Sequence, residues 1–398
     1  MRCAWCMPRK PSSKKCLSCR KAGVKRNGTT TSGAIRWRCN KCGTTWSNTR
    51  RDTTRDALLD KFVKWLVNKQ TLADLKVAST TWARKTEWCW RVEPVIPVTG
   101  EIYDYIQIDG TYLPYGWCLL VAQTQGKVLA IQWCQRENAA AYKALLQQLP
   151  PPLLVLTDGS AGALRAISEV WPDTVVQRCL VHVKRNICVQ TTRTPRLDAH
   201  KTLWGLAQNL VKITTLDQAD EWIGQLQEFH NIYGKWLGEK TYRSEVLPDN
   251  VPTWVRPSQE WWYTHQNARK AYNLLATQTR KGTLFAFLNP SLQAQATSPL
   301  PSTTNALEGG INAQIKALIR SHRGLSEDHM RRAVEWWCYL HSENPVIPHL
   351  LIKPEHLNPQ AKPQTREPKP GPALWDVSIN LTQTDYHPDI SIRKGTIR

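Results

Sequence analysis

The sequence predicts an α/β protein: a mixed sheet with a long all-helical insertion, preceded by a small cysteine-rich module and a short helical domain. Three observations lead there. Residues 1–50 hold three Cys-x2-Cys pairs and little apolar material. Residues 102–183 alternate apolar runs and amphipathic segments in the order β-β-β-α-β-α-β. Residues 184–300 read mainly as helix, rich in Trp and Gln. With 398 residues and 41% hydrophobic content, the chain has ample material for packed cores and is not a disordered protein.

The first module is read from its cysteines. Cys16, Cys19, Cys39 and Cys42 form C-x2-C-x19-C-x2-C, the spacing of two knuckles closing one tetrahedral zinc site. Zinc would supply roughly 10–16 kcal/mol of apparent folding free energy to a segment with no core of its own. Cys3 and Cys6 are left over, as half of a second site, competitors for the first, or neither. The twelve cysteines read as metal ligands and free thiols rather than a disulfide framework, because MRCAWCMPRK lacks the apolar stretch of an export signal. No run approaches eighteen apolar residues, so no membrane partner is expected and the chain is expected to be cytoplasmic.

Residues 51–95 follow as a helical domain. Leu58, Leu59, Phe62, Val63, Leu66 and Val67 share one helix face, a second short helix is expected over Leu72–Val77, and a third begins near Ser79 with Arg84 and Lys85 exposed. Three short helices with a tight joint read as a helix-turn-helix-like unit, or as a plain spacer. EPVIPVTG is a linker. By residue 100 the chain has 22 basic against 6 acidic residues, most of the net charge of +21. A polyanion is the natural partner, since each phosphate neutralised releases condensed counterions.

The sheet region comes next, as the first part of a core over 100–183. YDYIQIDG, WCLLVAQ and KVLAIQWC read as strands, ENAAAYKALLQQL as a helix, PLLVLTDGS as a strand, AGALRAISEVW as a helix and DTVVQRCLVHV as a strand. This order matches the ribonuclease-H-like fold, in which acidic residues of the first and fourth strands meet at one sheet edge. Asp109 and Asp158 each end a strand and precede a glycine. Read singly, each is a turn; read together, two adjacent anions need a cation between them. The helical insertion is expected over 184–300, with breaks at LPDNVPT and NPSLQAQATSPLPS; the last core helices over 301–345; and a Pro-rich tail over 346–398.

Glu308 opens a later helix, followed by Gly309 and Gly310 and by the basic Lys316, Arg320 and Arg323. With Asn305 it has the spacing of a capping box, which is the plain reading. As a third carboxylate beside Asp109 and Asp158 it completes a hard-oxygen set suited to two Mg²⁺ or Mn²⁺ ions. The glycines then leave room for a substrate backbone, and the three basic residues are spaced to follow a phosphate chain.

IQIDGTYL, LTDGSAGALRAI, VVQRCLVHVKRNI, WWYTHQNARKAYNLL and TTNALEGGINAQIKALIRSHRGLS together resemble the Mutator-like DDE transposases of bacterial insertion sequences. The resemblance implies that Asp109, Asp158 and Glu308 form a catalytic triad holding two divalent metals, and that the helical stretch is an insertion in a ribonuclease-H-like fold. It further implies attack by water at the element end, then by the freed 3′-hydroxyl on target DNA. The implied partners are terminal inverted repeats, target DNA and further copies of the chain in a synaptic dimer or larger oligomer, associated with the nucleoid when bound. Cys179 and His182 match the family's C-x2-H motif, read as structural. Trp261 and Trp262 read as core residues, or as stacking platforms for an unpaired base. Two other readings stand beside the transposase: a zinc-dependent DNA-binding derivative, and a nuclease of the same fold that only hydrolyses.

Overall fold

The computed structural model describes residues 14–31, 33–47, 55–68 and 70–357. Cys3 and Cys6 lie outside the described residues. Residues 1–352 form one unit, whose first described part is an antiparallel sheet of β1 (Val24–Thr29), β2 (Ile35–Cys39) and β3 (Thr45–Ser47). Its buried cluster consists of Cys16, Val24 and Cys39, edged by Trp37 and Trp46. So little apolar burial contributes little stabilisation.

Helix α1 (Arg55–Val67) buries Leu59, Phe62, Val63 and Leu66, as their spacing predicts. The helix expected over Leu72–Val77 is not formed. Asp74 accepts from both the amide and the hydroxyl of Thr71, the Thr71 hydroxyl accepts from the Asp74 amide, and Lys76 takes a φ of 51°. Local side-chain bonds outcompete a helix too short to nucleate. Helix α2 (Ser79–Thr86) follows and tightens into a 3-10 turn over Glu87–Arg91.

The central sheet contains β4 (Tyr105–Tyr112), β5 (Cys118–Thr124), β6 (Lys127–Cys134), β7 (Leu154–Thr157) and β8 (Val175–Arg178), in the order β6-β5-β4-β7-β8. Strands β4, β5 and β6 pair antiparallel; β7 and β8 run parallel to β4. Helix α3 (Ala139–Leu146) joins β6 to β7 and α4 (Ala161–Val170) joins β7 to β8. The strand expected to continue through Val183 stops at Arg178, where its pairing with β7 ends. Cys179 then takes the N-cap position of α5 (Leu180–Thr191) without a side-chain cap bond, and α5 buries Val183 and Ile187 at helical spacing.

The insertion adds α6 (Asp198–Leu210), α7 (Leu216–Leu237) and α8 (Gln266–Arg280), packed with α5 around Leu203, Trp222 and Phe229. It also holds an antiparallel ribbon, β9 (Lys240–Tyr242) with β10 (Trp261–Tyr263), where only helix was expected. Three-residue strands are too short to show a period of two. Helix α9 (Pro290–Gln295) starts with Asn289 as cap and Pro290 in its first turn. The chain then enters a π-helical stretch, Ala306–Asn312, continues as α10 (Ala313–Ser321) and reaches α11 (Glu327–Leu340).

Alternation along β5 divides the core. Leu120 and Ala122 pack with α3 and α4 on one face; Leu119 and Val121 pack on the other with α10, α11 and α1. The helices of residues 55–91 therefore share a core with the sheet, and His322 Nε2 meets the carbonyl of Leu66 at 2.7 Å. Lys353–Arg398 form a second unit, described only through the short helix α12 (Pro354–Leu357). No described helix is long and apolar enough to cross a membrane.

Candidate active site and cysteine cluster

Asp109 does not end its strand: β4 runs on to Tyr112, with Asp109 opposite Val121. What ends is the pairing with β7, whose last register pair is Gln107 with Leu156. Asp158 directly follows β7, so both carboxylates stand where two parallel neighbours part. This is the side of an open sheet where ligands bind. Asp158 Oδ1 accepts from the Ser160 amide at 2.8 Å, and Ser160 caps α4.

The glycine after Asp158 has a steric cause. Gly159 has a φ of 79°, and a Cβ there would lie 1.9 Å from Cζ of Arg178, which is buried and donates to the Asp158 carbonyl at 2.6 Å. Gly159→Ala is expected to lower stability by about 3 kcal/mol through strain and displacement of Arg178. Urea titration of the variant measures it; a loss under about 0.5 kcal/mol would refute the crowding.

Glu308 sits in the π-helical stretch, a distortion frequent at functional sites. The capping-box reading fails: Asn305 has helical dihedrals and makes no side-chain cap bond. The Glu308 carboxylate instead turns to the sheet. Oε2 accepts from Arg185 Nη1 at 2.6 Å and Oε1 from Thr304 Oγ1 at 3.3 Å, with His182 Nδ1 at 3.5 Å from Oε1. Four residues on, Asn312 donates Nδ2 to Asp109 Oδ2 at 2.9 Å, tying this helix to β4. A cavity of about 350 Å³ is lined by Asp109, Asp158 and Glu308 together with Glu137, His182, Asn312 and Lys316.

Burial, followed by the charge of Asp158, pushes the Asp109 carboxyl up to about 7; Glu308 adds to the shift and His182 opposes it. An acid whose folded pKa is raised stabilises the fold at low pH and loses that contribution as pH rises through 7. In chelator, Asp109→Asn should therefore melt higher than wild type at pH 8 and together with it near pH 4. The difference is of order 2–4 kcal/mol, at 1.36 kcal/mol per pKa unit. Equal melting at pH 8 would contradict the crowding of the carboxylates.

Cys179 and His182 brace the loop that delivers Glu308. The buried Cys179 Sγ accepts from the amide and hydroxyl of Thr304 at 3.3 and 3.2 Å, and the Leu180 amide donates to the Ser302 carbonyl at 3.1 Å. The His182 pKa is raised, mainly by hydrogen bonding to Cys179. Ligand atoms of Cys179, His182 and Glu308 all lie within 4.8 Å of one another.

The N-terminal cysteines also converge. Sγ atoms of Cys16, Cys19, Cys39 and Cys42 lie within 4.8 Å of one another, with Cys16–Cys42 and Cys19–Cys39 both at 3.6 Å. Amides of Ser18 and Cys19 point at Cys16 Sγ, and that of Lys41 at Cys39 Sγ. These N–H groups favour thiolates, but at Cys16 burial outweighs them and pushes the thiol up to about 12. Although burial raises the Cys42 pKa, hydrogen bonds with Thr44 and the neighbouring thiols outweigh it and bring it to about 6.

The remaining residues picked out from sequence divide. Arg84 and Lys85 are exposed on α2; Lys316, Arg320 and Arg323 are exposed along and just beyond α10, with Lys316 at the cavity. Trp262 is 6% exposed and offers no face for stacking, because β10 turns it into the insertion. Trp261 carries Lys240 Nζ 4.0 Å from its ring centre. It lines a second cavity, of about 370 Å³, with Trp254, Arg256, Arg269 and Lys270. Sequence reasoning missed Glu137, Arg178, Arg185 and Asn312. Only Asn312 left a signal, four residues after Glu308 on the same helical face.

Residues 120–241 match the family model described as "Transposase, Mutator family". The match includes Glu137, Asp158, Cys179 and His182, and leaves Asp109 and Glu308 outside it. The chain is 27% identical over 204 residues to the transposase for insertion sequence element IS905 of Lactococcus lactis, covering 46% of this chain and 50% of that protein. It is 26% identical over 180 residues to that of IS1201 of Lactobacillus helveticus, covering 38% and 46%. With that of IS6120 of Mycolicibacterium smegmatis it is 25% identical over 175 residues, covering 40% and 52%. The chain thus spans about half the length of the curated relatives it matches. By these matches the chain is similar, over residues 120–241, to the Mutator transposase family, and over a longer stretch to transposases of bacterial insertion sequences.

Proposed function

We propose that this chain is a DNA transposase that binds the ends of its own insertion sequence and catalyses metal-dependent strand cleavage and strand transfer. The observation that carries the reading is the convergence of Asp109, Asp158 and Glu308 on one cavity from β4, the end of β7 and a later helix. That is the placement expected of a ribonuclease-H-like core with an acidic triad. The names of the three relatives, all insertion-sequence transposases, support the same activity.

The donors fit hard divalent ions. All three are carboxylates, burial and the charge of Asp158 push the Asp109 carboxyl up to about 7, and the buried Asn312 Oδ1 lacks a hydrogen-bond partner among the described residues. Two Mg²⁺ or Mn²⁺ ions would activate the attacking oxygen and stabilise the leaving oxygen of an in-line displacement. The chain supplies the rest. Asn312 holds Asp109, Ser160 holds Asp158, and Thr304, His182 and Arg185 aim Glu308. No atom lies within 4 Å of a Cβ built on Gly309 or Gly310, which leaves room for a phosphate backbone on its way to Lys316, Arg320 and Arg323.

End recognition falls to residues 14–91: a ribbon in which Cys16, Cys19, Cys39 and Cys42 hold Zn²⁺, and the α1–turn–α2 unit with Arg84 and Lys85 outward. Joining two ends calls for a dimer or larger synaptic complex. The test is strand transfer: purified protein, a labelled duplex from the element terminus, a supercoiled target, and Mg²⁺ or Mn²⁺. Joined product from wild type, with none from Asp158→Asn, is expected. Hydrolysis without joining would favour a simple nuclease, and binding with neither would favour a DNA-binding derivative.

A further inference from the structure

Glu137 stands between β6 and α3, directly before the Asn138 that caps α3. Its carboxylate occupies the place a side chain would take at the residue after Asp109. A Cβ built on Gly110 would lie 2.5 Å from Glu137 Oε1 and 2.6 Å from Cδ. The same loop touches the Asp158 side of the cavity: a Cβ on Gly162, in the first turn of α4, would meet the backbone of Asn138 at 3.0 Å. Glu137 is thus wedged between the segments that carry Asp109 and Asp158, and it lines the cavity with them.

It is also held in place. Tyr142, 1% exposed, donates its hydroxyl to Glu137 Oε2 at 2.9 Å. An independent feature points to a ligand here. Asn312 is 5% exposed, borders the same cavity, and keeps Oδ1 without a partner while Nδ2 holds Asp109. Carboxylates crowded around an unused buried acceptor suit cations. Two divalent ions bring four positive charges, which Asp109, Asp158 and Glu308 leave one short of balance.

We infer that Glu137 is a fourth carboxylate of the catalytic cavity and holds the second divalent ion there. The inference rests on the metal-dependent transposase reading above. Gln at this position keeps the shape and the acceptor for Tyr142 but removes the charge, so Glu137→Gln is expected to fold normally.

The experiment is a titration of zinc-loaded, full-length protein with Mn²⁺, reading free Mn²⁺ by electron paramagnetic resonance. Wild type is expected to bind two ions per chain and Glu137→Gln one, with DNA strand cleavage in the variant falling at least about 100-fold. Tyr142→Phe removes the hydrogen bond but leaves the charge, and is expected to keep both ions. Two ions in Glu137→Gln would overturn the inference, as would equal losses in Glu137→Gln and Tyr142→Phe, since Glu137 would then serve only its tyrosine. Asp158→Asn separates the two levels. If wild type binds no Mn²⁺, or Asp158→Asn leaves binding unchanged, the metal-site reading itself fails, and the role of Glu137 with it.

Discussion

Glu308→Gln is expected to lower strand joining by about 10³-fold or more while leaving DNA affinity within a factor of about two. The estimate follows from several kcal/mol of charge stabilisation by a correctly placed cation, at 1.36 kcal/mol per tenfold. The substitution is a close probe because Gln keeps the shape and one oxygen to accept from Arg185, while its amide nitrogen faces the Thr304 hydroxyl, which can accept; these are the groups that hold the Glu308 side chain at 2.6 and 3.3 Å. Asn305→Ala is the matching control. Asn305 makes no cap bond, so its loss should change neither stability nor joining measurably. The measurement is the rate of joined product at saturating Mg²⁺, beside a band-shift affinity on the same duplex. Joining by Glu308→Gln at the wild-type rate would make Glu308 a structural partner of Arg185. Equal loss of binding and joining would mean that the variant had not folded.

That glutamate shows how far the sequence could be read and where it stopped. The meeting of Asp109 and Asp158 at one cavity was legible because element order alone puts β4 beside the end of β7. Helix α1 was legible because its apolar residues recur at helical spacing. Arg178 was not, since a basic residue at the end of a strand looks solvated until Gly159 and Asp158 are seen packed around it. Glu137 was read as the first turn of a helix, because nothing local shows that its carboxylate lies over Gly110. The helix-turn-helix reading lost its middle helix to a Thr71–Asp74 turn, a competition that apolar periodicity over six residues does not register. Trp261 and Trp262 were read as core residues or stacking platforms, and the choice between them was not legible for a related reason: which face of a three-residue strand turns inward depends on the partner strand, and β9 lies about twenty residues earlier.

Cys16→Ser is expected to have the other large effect, confined to the ribbon. The cluster there has Cys16, Val24 and Cys39 as its buried apolar residues, and two of these are thiols of the metal set. Without zinc the ribbon has almost nothing to offset its conformational entropy, whereas the bound ion would contribute roughly 10–16 kcal/mol. Wild type should carry one tightly held zinc per chain and Cys16→Ser close to none, as read by metal analysis after dialysis. The variant's amides over residues 14–47 should exchange freely, while the main melting transition, set by the cores around the central sheet, stays in place. Element-end binding should weaken and depend less steeply on salt, because the ribbon's basic residues no longer form a docked surface. Unchanged zinc content in Cys16→Ser would place the metal elsewhere. Retained end affinity with an unfolded ribbon would assign recognition to α1 and α2 alone. The two lesions are separable by design: Glu308→Gln should hold its ends without joining them, and Cys16→Ser should keep a folded catalytic cavity that has lost its grip on them.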